Sequence, residues 1–283
     1  SLMRTKVLIT VKAYPALSKK YNETVCTAGI TEEGKWIRIY PIPFRQLDYN
    51  NQFKKYEWVE LELERNSSDF RSESYRPRHL MLDDLKSYGK IEADGNAWVE
   101  RRKYVLKKIY TNLEQLISEA KNKDICTSLA VFKPTKIIDF IFHETDRIWK
   151  KEKIDFLKNK KLQLNLFENS EQNDIDEFEI VDKLPYKFSF KFVDDAGKES
   201  TLMIEDWETG MLFWNSLRKN EGDEAKACED VKKKYFDDFA KTKDYYFFLG
   251  TTKRFHYTAP NPFVIIGDFR PKHIKQENLF SKL

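Results

Sequence analysis

Glycine, histidine and cysteine are scarce in this chain of 283 residues, which has 9 Gly, 4 His and 3 Cys. With so few glycines it holds neither a GxxxxGK[ST] phosphate loop nor a strand-linked GxGxxG, which excludes the common NTPase and dinucleotide-binding motifs. Cys26, Cys126 and Cys228 are odd in number and far apart, so they form neither a disulfide framework nor a CxxC metal site. A reducing cytoplasm fits these thiols.

Metal-ligand patterns and long apolar runs are absent as well. None of the histidines lies at ligand spacing from another histidine, a cysteine or a carboxylate, so we expect no metal and no other cofactor. The longest apolar runs, such as Phe263 to Gly267, fall far short of the ~20 residues that span a bilayer, and there is no apolar signal region at the start. We expect a cytoplasmic protein that does not enter a membrane; the oligomeric state stays open.

Aromatic and charged residues are abundant: 14% of the chain is Phe, Tyr or Trp, and 34% is Asp, Glu, Lys or Arg. This composition indicates a folded protein with a highly ionised surface. The net charge of +4 indicates only a weak preference for anionic partners. The positions of the cations along the sequence are more informative about the partner than their total number.

The N-terminal third has the patterns of β-strands. Lys6 to Val11 is rich in β-branched residues, and Thr24 to Ile30 and Lys35 to Ile42 flank a Glu33-Gly34 turn, which predicts a hairpin. Tyr56 to Leu63 alternates apolar and acidic residues. We expect a small antiparallel barrel or curled sheet, followed by a long loop over 66–96, a helix over 98–121, a strand over 130–142 and a Lys-rich helix over 144–166.

An acidic, polar interval from Glu168 to Glu179 is the best boundary between domains. It predicts an N-terminal β-rich domain over 1–167, an acidic linker over 168–183 and a smaller C-terminal α+β domain over 184–283. In the latter, the patterns predict a hairpin, two helices and a second hairpin. This order favours the α+β class over alternating βαβ units. The predicted elements are Tyr186 to Phe192, Ser200 to Ile204, Asp206 to Arg218, Asp223 to Lys241, Asp244 to Thr251 and Pro262 to Phe269.

The stretch over 68–78 places carboxylates among arginines on a loop after a strand. Arginine forks suit phosphate oxygens, and a carboxylate held among cations stays ionised and can act as a base or stabilise a cation. The alternative is a set of ion pairs that orders an exposed loop. The candidates are the catalytic Asp69 and Glu73, the nucleic-acid-binding Arg71, Arg76 and Arg78, and the base-pocket residue Tyr75.

A second basic and aromatic cluster runs from Trp36 to Arg45. Here Tyr40 and Phe44 could stack on bases while Arg45 contacts phosphate, although the same alternation would bury the aromatics as sheet core. Arg101 and Arg102 open the predicted helix, where they either touch phosphate or form a solvated face.

Two C-terminal segments add candidates. Glu205 and Asp206 lie at a strand-to-helix junction, where acids either cap the helix or, beside Trp207 and Trp214, activate water in a pocket. The segment over 250–256 is either a phosphate-gripping loop or a plain basic β-turn. Its candidate residues are Lys253, Arg254 and His256.

Several of these segments resemble an uncharacterised family of bacterial proteins. The likeness is carried by Val25 to Ile30, Trp36 to Arg45, Ile204 to Glu208 and Phe247 to Thr252. Members of that family are encoded on mobile elements and in phage-defence neighbourhoods. The resemblance implies action on foreign nucleic acid, and one activity it allows is a DNA glycosylase that excises modified phage bases.

The sequence therefore favours a nucleic-acid partner, with DNA first, and a metal-free DNA glycosylase that flips a modified base into an aromatic pocket. The alternatives are a non-catalytic reader of a modified base or single strand, a Mg²⁺-dependent nuclease, and a protein-interaction module. If the loop over 69–78 and the segment over 205–214 line one pocket, an enzyme is favoured; if they lie apart, a binding role is favoured.

Overall fold

The computed structural model describes residues 2–14, 16–18, 22–43, 53–93, 95, 97–151, 154–155 and 182–274. Its strands are β1 (Leu2–Lys12), β2 (Ala16–Ser18), β3 (Asn22–Ile30), β4 (Trp36–Pro43), β5 (Glu57–Arg65), β6 (Ser74–Pro77), β7 (Lys86–Lys90), β8 (Ile109–Tyr110), β9 (Leu129–Phe132), β10 (Lys136–Glu144), β11 (Tyr186–Val193), β12 (Glu199–Met203), β13 (Tyr246–Thr251) and β14 (Phe263–Phe269). Its α-helices are α1 (Val99–Val105), α2 (Leu113–Lys121), α3 (Trp207–Lys219) and α4 (Glu224–Lys232). A π-helical segment, Lys233–Ala240, continues α4 directly.

Five strands of the N-terminal part close into a barrel. Their spatial order is β1-β3-β4-β6-β5, and the pairing of β5 with β1 closes the ring. The β4–β6 pair is parallel, whereas the other pairs of the ring are antiparallel. β2 and β7 extend β3 and β5 beside the ring. The barrel expected from the sequence is confirmed.

The barrel strands bury side chains on both faces. Alternate residues such as Val7, Ile9 and Leu61 fill the interior. On the outer face, Leu8, Ala28 and other apolar residues pack against side chains from the second half of the chain. The outer Trp36 meets Phe248 of β13 edge to face, with ring centres 5.6 Å apart. This shared apolar layer joins the barrel to the sheet that contains β13.

The part of the chain from β8 to β14 forms two sheets and the remaining helices. The sheets have the orders β10-β11-β12 and β14-β13-β9-β8. Phenylalanines dominate the core between the sheets and the helices α3 and α4; Phe140, Phe190, Phe192, Phe213 and Phe247 are fully buried. The expected α+β class is confirmed, with a hairpin, two helices and a second hairpin in the C-terminal part.

These sheets join residues on both sides of the linker expected at 168–183. β10 pairs with β11, and β9 pairs with β13. The division into 1–167 and 184–283 therefore assigns strands that share a sheet to different domains. Most of the linker, residues 168–181, lies outside the described residues.

Two other elements differ from the sequence patterns. The helix expected over 98–121 is two helices, because strand β8 separates α1 from α2. The loop expected over 66–96 contains β6 and β7. Most of the Lys-rich helix expected over 144–166 lies outside the described residues. Within the described part of the chain, no helix has both the length and the apolar character needed to cross a membrane.

Candidate nucleic-acid interface and buried charge cluster

The loop between β5 and β6, residues 66–73, is ordered by side chains that bind its own backbone. The Asn66 side-chain oxygen accepts hydrogen bonds from the backbone N–H and the hydroxyl of Ser68, at 3.2 and 2.7 Å. The guanidinium of Arg65 donates to the carbonyl oxygens of Arg71, Ser72 and Ser74 at 2.6–3.2 Å. Such local bonds replace strand pairing and hold an irregular loop in one conformation.

Asp69 and Arg71 form a buried ion pair inside this loop. Arg71 Nη2 lies 2.6 Å from Asp69 Oδ2, and Arg71 Nε lies 2.9 Å from Asp69 Oδ1. Arg71 Nη1 donates to the carbonyl oxygen of Thr251, at the end of β13, at 2.6 Å. Burial raises the pKa of Asp69, but the bonds from Arg71 outweigh it and lower the pKa to about 2. Because protein groups occupy this guanidinium, Arg71 anchors the loop instead of facing a phosphate.

Phe70, between these inward-facing residues, points outward and forms an exposed aromatic surface with the 252–259 loop. Phe70 stacks on Tyr257, with ring centres 4.9 Å apart and planes 27° apart. Phe70, Phe255 and Tyr257 are 46%, 47% and 38% exposed, which is unusual for three neighbouring aromatic residues. The Arg254 guanidinium lies 5.0 Å from the centre of the Phe255 ring, and Lys253 donates to the Ser68 carbonyl oxygen. We call Phe70, Arg254, Phe255 and Tyr257 the aromatic surface.

His256 supports this surface from beneath. Its Nε2 lies 2.6 Å from the carbonyl oxygen of Ala120, so Nε2 carries the proton, and Nδ1 accepts from the Thr251 hydroxyl at 2.7 Å. Burial lowers its pKa, and the nearby Arg71 and Arg38 lower it further. The ring is fully buried and neutral and acts as a structural link. It is therefore not available for the base contact that the sequence predicted.

Glu73, at the end of the same loop, is bonded to Ser128, the residue before β9. Its carboxylate accepts from the backbone N–H and the hydroxyl of Ser128 at 2.9 and 2.7 Å. The buried Arg38 of β4 also donates to the Ser128 hydroxyl, at 2.9 Å, and to the Ser74 hydroxyl, at 3.0 Å. These bonds fix the loop against the strand that begins at Leu129.

A buried charge cluster surrounds Asp206, the residue before α3. Lys55 Nζ lies 3.3 Å from Asp206 Oδ1 and 3.4 Å from Glu208 Oε1. Arg270 joins Glu208, at 2.9 Å, to Asp268. Asp268 also accepts from the Tyr245 hydroxyl at 2.7 Å. The buried charge cluster consists of Lys55, Asp206, Glu208, Asp268 and Arg270.

Asp206 is the least satisfied member of this cluster. Among the described residues its Oδ2 has no hydrogen-bond partner, although the residue is only 2% exposed, and it makes no side-chain cap to α3. Burial raises its pKa to about 7, against the attraction of Lys55. Lys55 instead lowers the pKa of Glu208 to about 2. At neutral pH, Asp206 can therefore either hold or release a proton, which is what a general acid or base requires.

The aromatic surface and the buried charge cluster lie at opposite ends of β13. Arg71 binds the carbonyl oxygen of Thr251, the last residue of β13, whereas Tyr245, which binds Asp268, precedes its first residue. At ~3.3 Å per residue the two ends are separated by roughly 20 Å. The 69–78 loop and the 205–214 segment therefore do not line one pocket.

Two known protein families match the chain, and neither has a known activity. Residues 110–283, more than half of the chain, match the family described as Domain of unknown function (DUF8757). The chain belongs to DUF8757. Residues 3–107 match a second family, Domain of unknown function (DUF8758). No curated protein matches the sequence. The two matches meet shortly after α1, so the DUF8757 part contains β9 to β14 in full and only Tyr110 of β8.

The other arginine candidates have protein partners of their own. Arg76 is exposed and pairs with Glu64 at 2.7 Å, and Arg78 lies 3.9 Å from Glu62. Arg102 pairs with Asp244 of the DUF8757 part at 2.7 Å. Arg101 is buried with its guanidinium 4.0 Å from the centre of the Tyr56 ring, so the expected phosphate contact or solvated face is wrong for this residue.

The aromatic candidates are also dispersed. Tyr75 is buried inside the barrel, and Tyr40, on β4, is half-buried. Trp207 stacks on Tyr14 with ring centres 5.7 Å apart, and Trp214 Nε1 donates to the Tyr14 hydroxyl at 2.9 Å. Phe44 and Arg45 lie outside the described residues. Glu205 is half-buried, and burial raises its pKa.

One group of possible metal ligands was not expected from the spacing of the histidines. In the part of the chain that the structure describes, Glu62, His79 and Asp84 bring their ligand atoms within 4.8 Å of one another. Arg4 lies 3.7 Å from the Asp84 carboxylate, and Arg78 lies 3.9 Å from that of Glu62. These two guanidiniums already supply positive charge to the carboxylates, so the arrangement does not call for a cation.

Proposed function

We propose that the protein binds single-stranded nucleic acid through the aromatic surface. The observation that carries this proposal is the exposed stack of Phe70 on Tyr257 beside Arg254. Aromatic rings stack on unpaired bases, while arginine contributes charge and cation–π contacts. Three free cysteines, none of them in a disulfide, fit a cytoplasmic location for this activity.

The topology of the barrel supports the same proposal. Numbered along the chain, its five strands take the order first, second, third, fifth, fourth, and the third and fifth are parallel. This arrangement is that of the OB-fold, a small barrel that binds oligonucleotides on its second and third strands and on the loops after its first and fourth strands. The loop after the fourth strand is residues 66–73, which carries Phe70.

The chain departs from that pattern at the barrel wall. The outer side of β3 and β4, where OB-folds place their ligand, is covered here by the sheet that contains β13. A strand of nucleic acid is therefore excluded from this wall. The 66–73 loop remains accessible, and the 252–259 loop of the covering sheet adds Phe255 and Tyr257 to it.

Alanine substitutions of Phe70 and Tyr257 test the proposal. Each should weaken the binding of a labelled single-stranded oligonucleotide of about 16 nucleotides by about 1–3 kcal/mol, because a stacking partner is lost. Arg254→Gln should also reduce the dependence of log affinity on log salt by about 0.7. Fluorescence anisotropy at several salt concentrations measures both effects.

Tyr88→Ala is the matched control. Tyr88 is 47% exposed and lies beside Lys6 and Lys86, but on β7, away from the aromatic surface. Its loss should leave the affinity unchanged. The proposal fails if the parent protein binds no single strand at low salt, or if Tyr88→Ala weakens binding as much as Phe70→Ala does.

A DNA glycosylase is the second candidate, favoured by the unpartnered Oδ2 of Asp206. A carboxylate that can be ionised near neutral pH could activate water or stabilise a sugar cation at a flipped base. Phage DNA with modified bases would be incubated with the protein in EDTA, and released bases would be measured. Release that Asp206→Asn abolishes supports this candidate; no release from either modified or plain DNA rejects it. The separation of Asp206 from the aromatic surface ranks it second.

A further inference from the structure

A concave site lies beside the end of the 66–73 loop, at Ser72 and Glu73. It is a cleft of about 260 Å³ between the β3–β4 turn, the end of this loop, the end of α1 and strand β9. This volume is slightly below that of typical ligand pockets, which begin at about 300 Å³. Its aromatic lining consists of Trp36, Tyr104 and Tyr110, and its charged lining of Lys35, Glu73, Lys107 and Lys108.

The three lysines of this cleft lack acidic partners. Most cations near the 66–73 loop and the buried charge cluster pair with a carboxylate, whereas Lys35, Lys107 and Lys108 make no ion pair with any described residue. Glu33 feels the charge of Lys107, which contributes to its lowered pKa, but stays beyond ion-pair distance. Among the described lining residues Glu73 is the one carboxylate against three lysines, and Glu119, which accepts from the Tyr110 hydroxyl behind the lining, also attracts Lys108.

Two of these lysines are held in place by neutral groups. The stem of Lys107 crosses Gly34, where a Cβ would lie 3.0 Å from Lys107 Cδ, and its Nζ donates to the Glu32 carbonyl oxygen. The ammonium of Lys108 lies 5.0 Å from the centre of the Tyr110 ring. A hydrogen bond with Tyr110 raises the pKa of Lys108, so the group is charged at neutral pH. Cations that are held in place attract an anion at a lower entropic cost than freely moving ones.

We infer that this cleft binds a nucleoside phosphate, with the phosphates on Lys35, Lys107 and Lys108 and the base against Trp36 and Tyr104. The polar and apolar halves of the lining match the two halves of such a ligand. Glu73 Oε1 accepts one hydrogen bond, from the Ser128 backbone, and can accept another from a base amine or ribose hydroxyl, whereas Oε2 already accepts from the hydroxyls of Ser128 and Ser72. The site uses side chains, which is consistent with the absence of a glycine-rich phosphate loop from the sequence.

Isothermal titration of the full chain with nucleoside diphosphates and triphosphates tests the inference. Adenosine and pyrophosphate serve as probes of each half of the ligand, and both should bind more weakly than the nucleotides. Lys107→Gln and Lys108→Gln should each lower the nucleotide affinity about tenfold, because each removes a charge-assisted hydrogen bond. Both lysines are exposed and make no ion pair with any described residue, so their loss should change thermal unfolding only slightly.

Lys253→Gln combined with Arg254→Gln is the matched control, since Arg254 belongs to the aromatic surface and Lys253 precedes it in the same loop. It should weaken oligonucleotide binding and leave nucleotide binding intact, and Lys107→Gln should do the reverse. Failure of one proposal is thus distinguishable from failure of the other. The inference is overturned if no nucleotide binds, if pyrophosphate binds as tightly as the nucleotides, or if both lysine variants retain the parent affinity.

Discussion

Replacing Arg71 by methionine should lower the free energy of unfolding by about 3–5 kcal/mol, because it leaves the buried Asp69 carboxylate without its partner. The substitution also removes the bond to the Thr251 carbonyl oxygen, which joins the 66–73 loop to the end of β13. Urea unfolding, followed by tryptophan fluorescence, measures the change. We expect single-strand binding to fall as well, since Phe70 loses the neighbours that hold it outward.

Arg76→Met is the matched control for this experiment. Arg76 also pairs with a carboxylate, that of Glu64, but both side chains are substantially exposed, so its loss should cost less than about 1 kcal/mol. Combining Asp69→Asn with Arg71→Met removes the stranded charge, so the double variant should be more stable than Arg71→Met alone. Equal costs at Arg71 and Arg76 would contradict the assignment of a structural role to the buried pair.

As the pH rises from about 5 to about 8, the free energy of unfolding of the parent protein should decrease relative to that of Asp206→Asn. The folded pKa of Asp206, about 7, lies above its ordinary value of 3.8. In this interval the folded state holds a proton that the unfolded state has released, so raising the pH favours unfolding until the folded group also ionises. One pKa unit corresponds to 1.36 kcal/mol, so the difference in the free energy of unfolding between the two proteins should change by on the order of 2–3 kcal/mol over this interval.

Asp244→Asn provides the comparison for the pH experiment. Burial of Asp244 is outweighed by hydrogen bonds from Arg102 and Lys133, which lower its pKa. Its contribution to stability is present above the ordinary pKa and is lost only at lower pH, so this variant should keep the parent slope between about pH 5 and about pH 8. Unfolding in urea across this range measures both slopes. A parent slope equal to that of Asp206→Asn would show that Asp206 ionises normally.

Local patterns were sufficient for the strands, the hairpins and the α+β class. Alternation along Tyr56 to Leu63 predicted β5, and the 3.6-residue spacing of Trp207, Met211 and Trp214 predicted α3. The sequence left a closed barrel and an open, curled sheet as alternatives. Closure depends on pairing β1 with β5 and β4 with β6 across long loops. No local signal specifies a parallel pair between such short segments.

The sites were less predictable for the same reason. The sequence identified Asp206 but not Lys55, which contacts it from 151 positions away. It identified Asp69 and Arg71 and offered their ion pair as one of two alternatives. The burial of Arg71 is what distinguishes an arginine that anchors the loop from one that binds phosphate, and the sequence does not show that burial. The hydrophobic periodicity of the sequence does not mark Phe70 as exposed. The two-residue spacing of an inward-facing pair around a single aromatic residue is the signal that could have found it.

The apolar layer between the barrel and the β13 sheet has a consequence for how such chains can evolve. The DUF8758 and DUF8757 matches meet near residue 108, yet Leu8, Ala28 and Trp58 from one side share a core with Phe248 and Phe269 from the other. Neither segment can be inherited alone as an independent module without exposing this layer. A relative that carries only one of them must have polar residues at these positions or a different cover. Recombination within this lineage is therefore expected to exchange the two segments together.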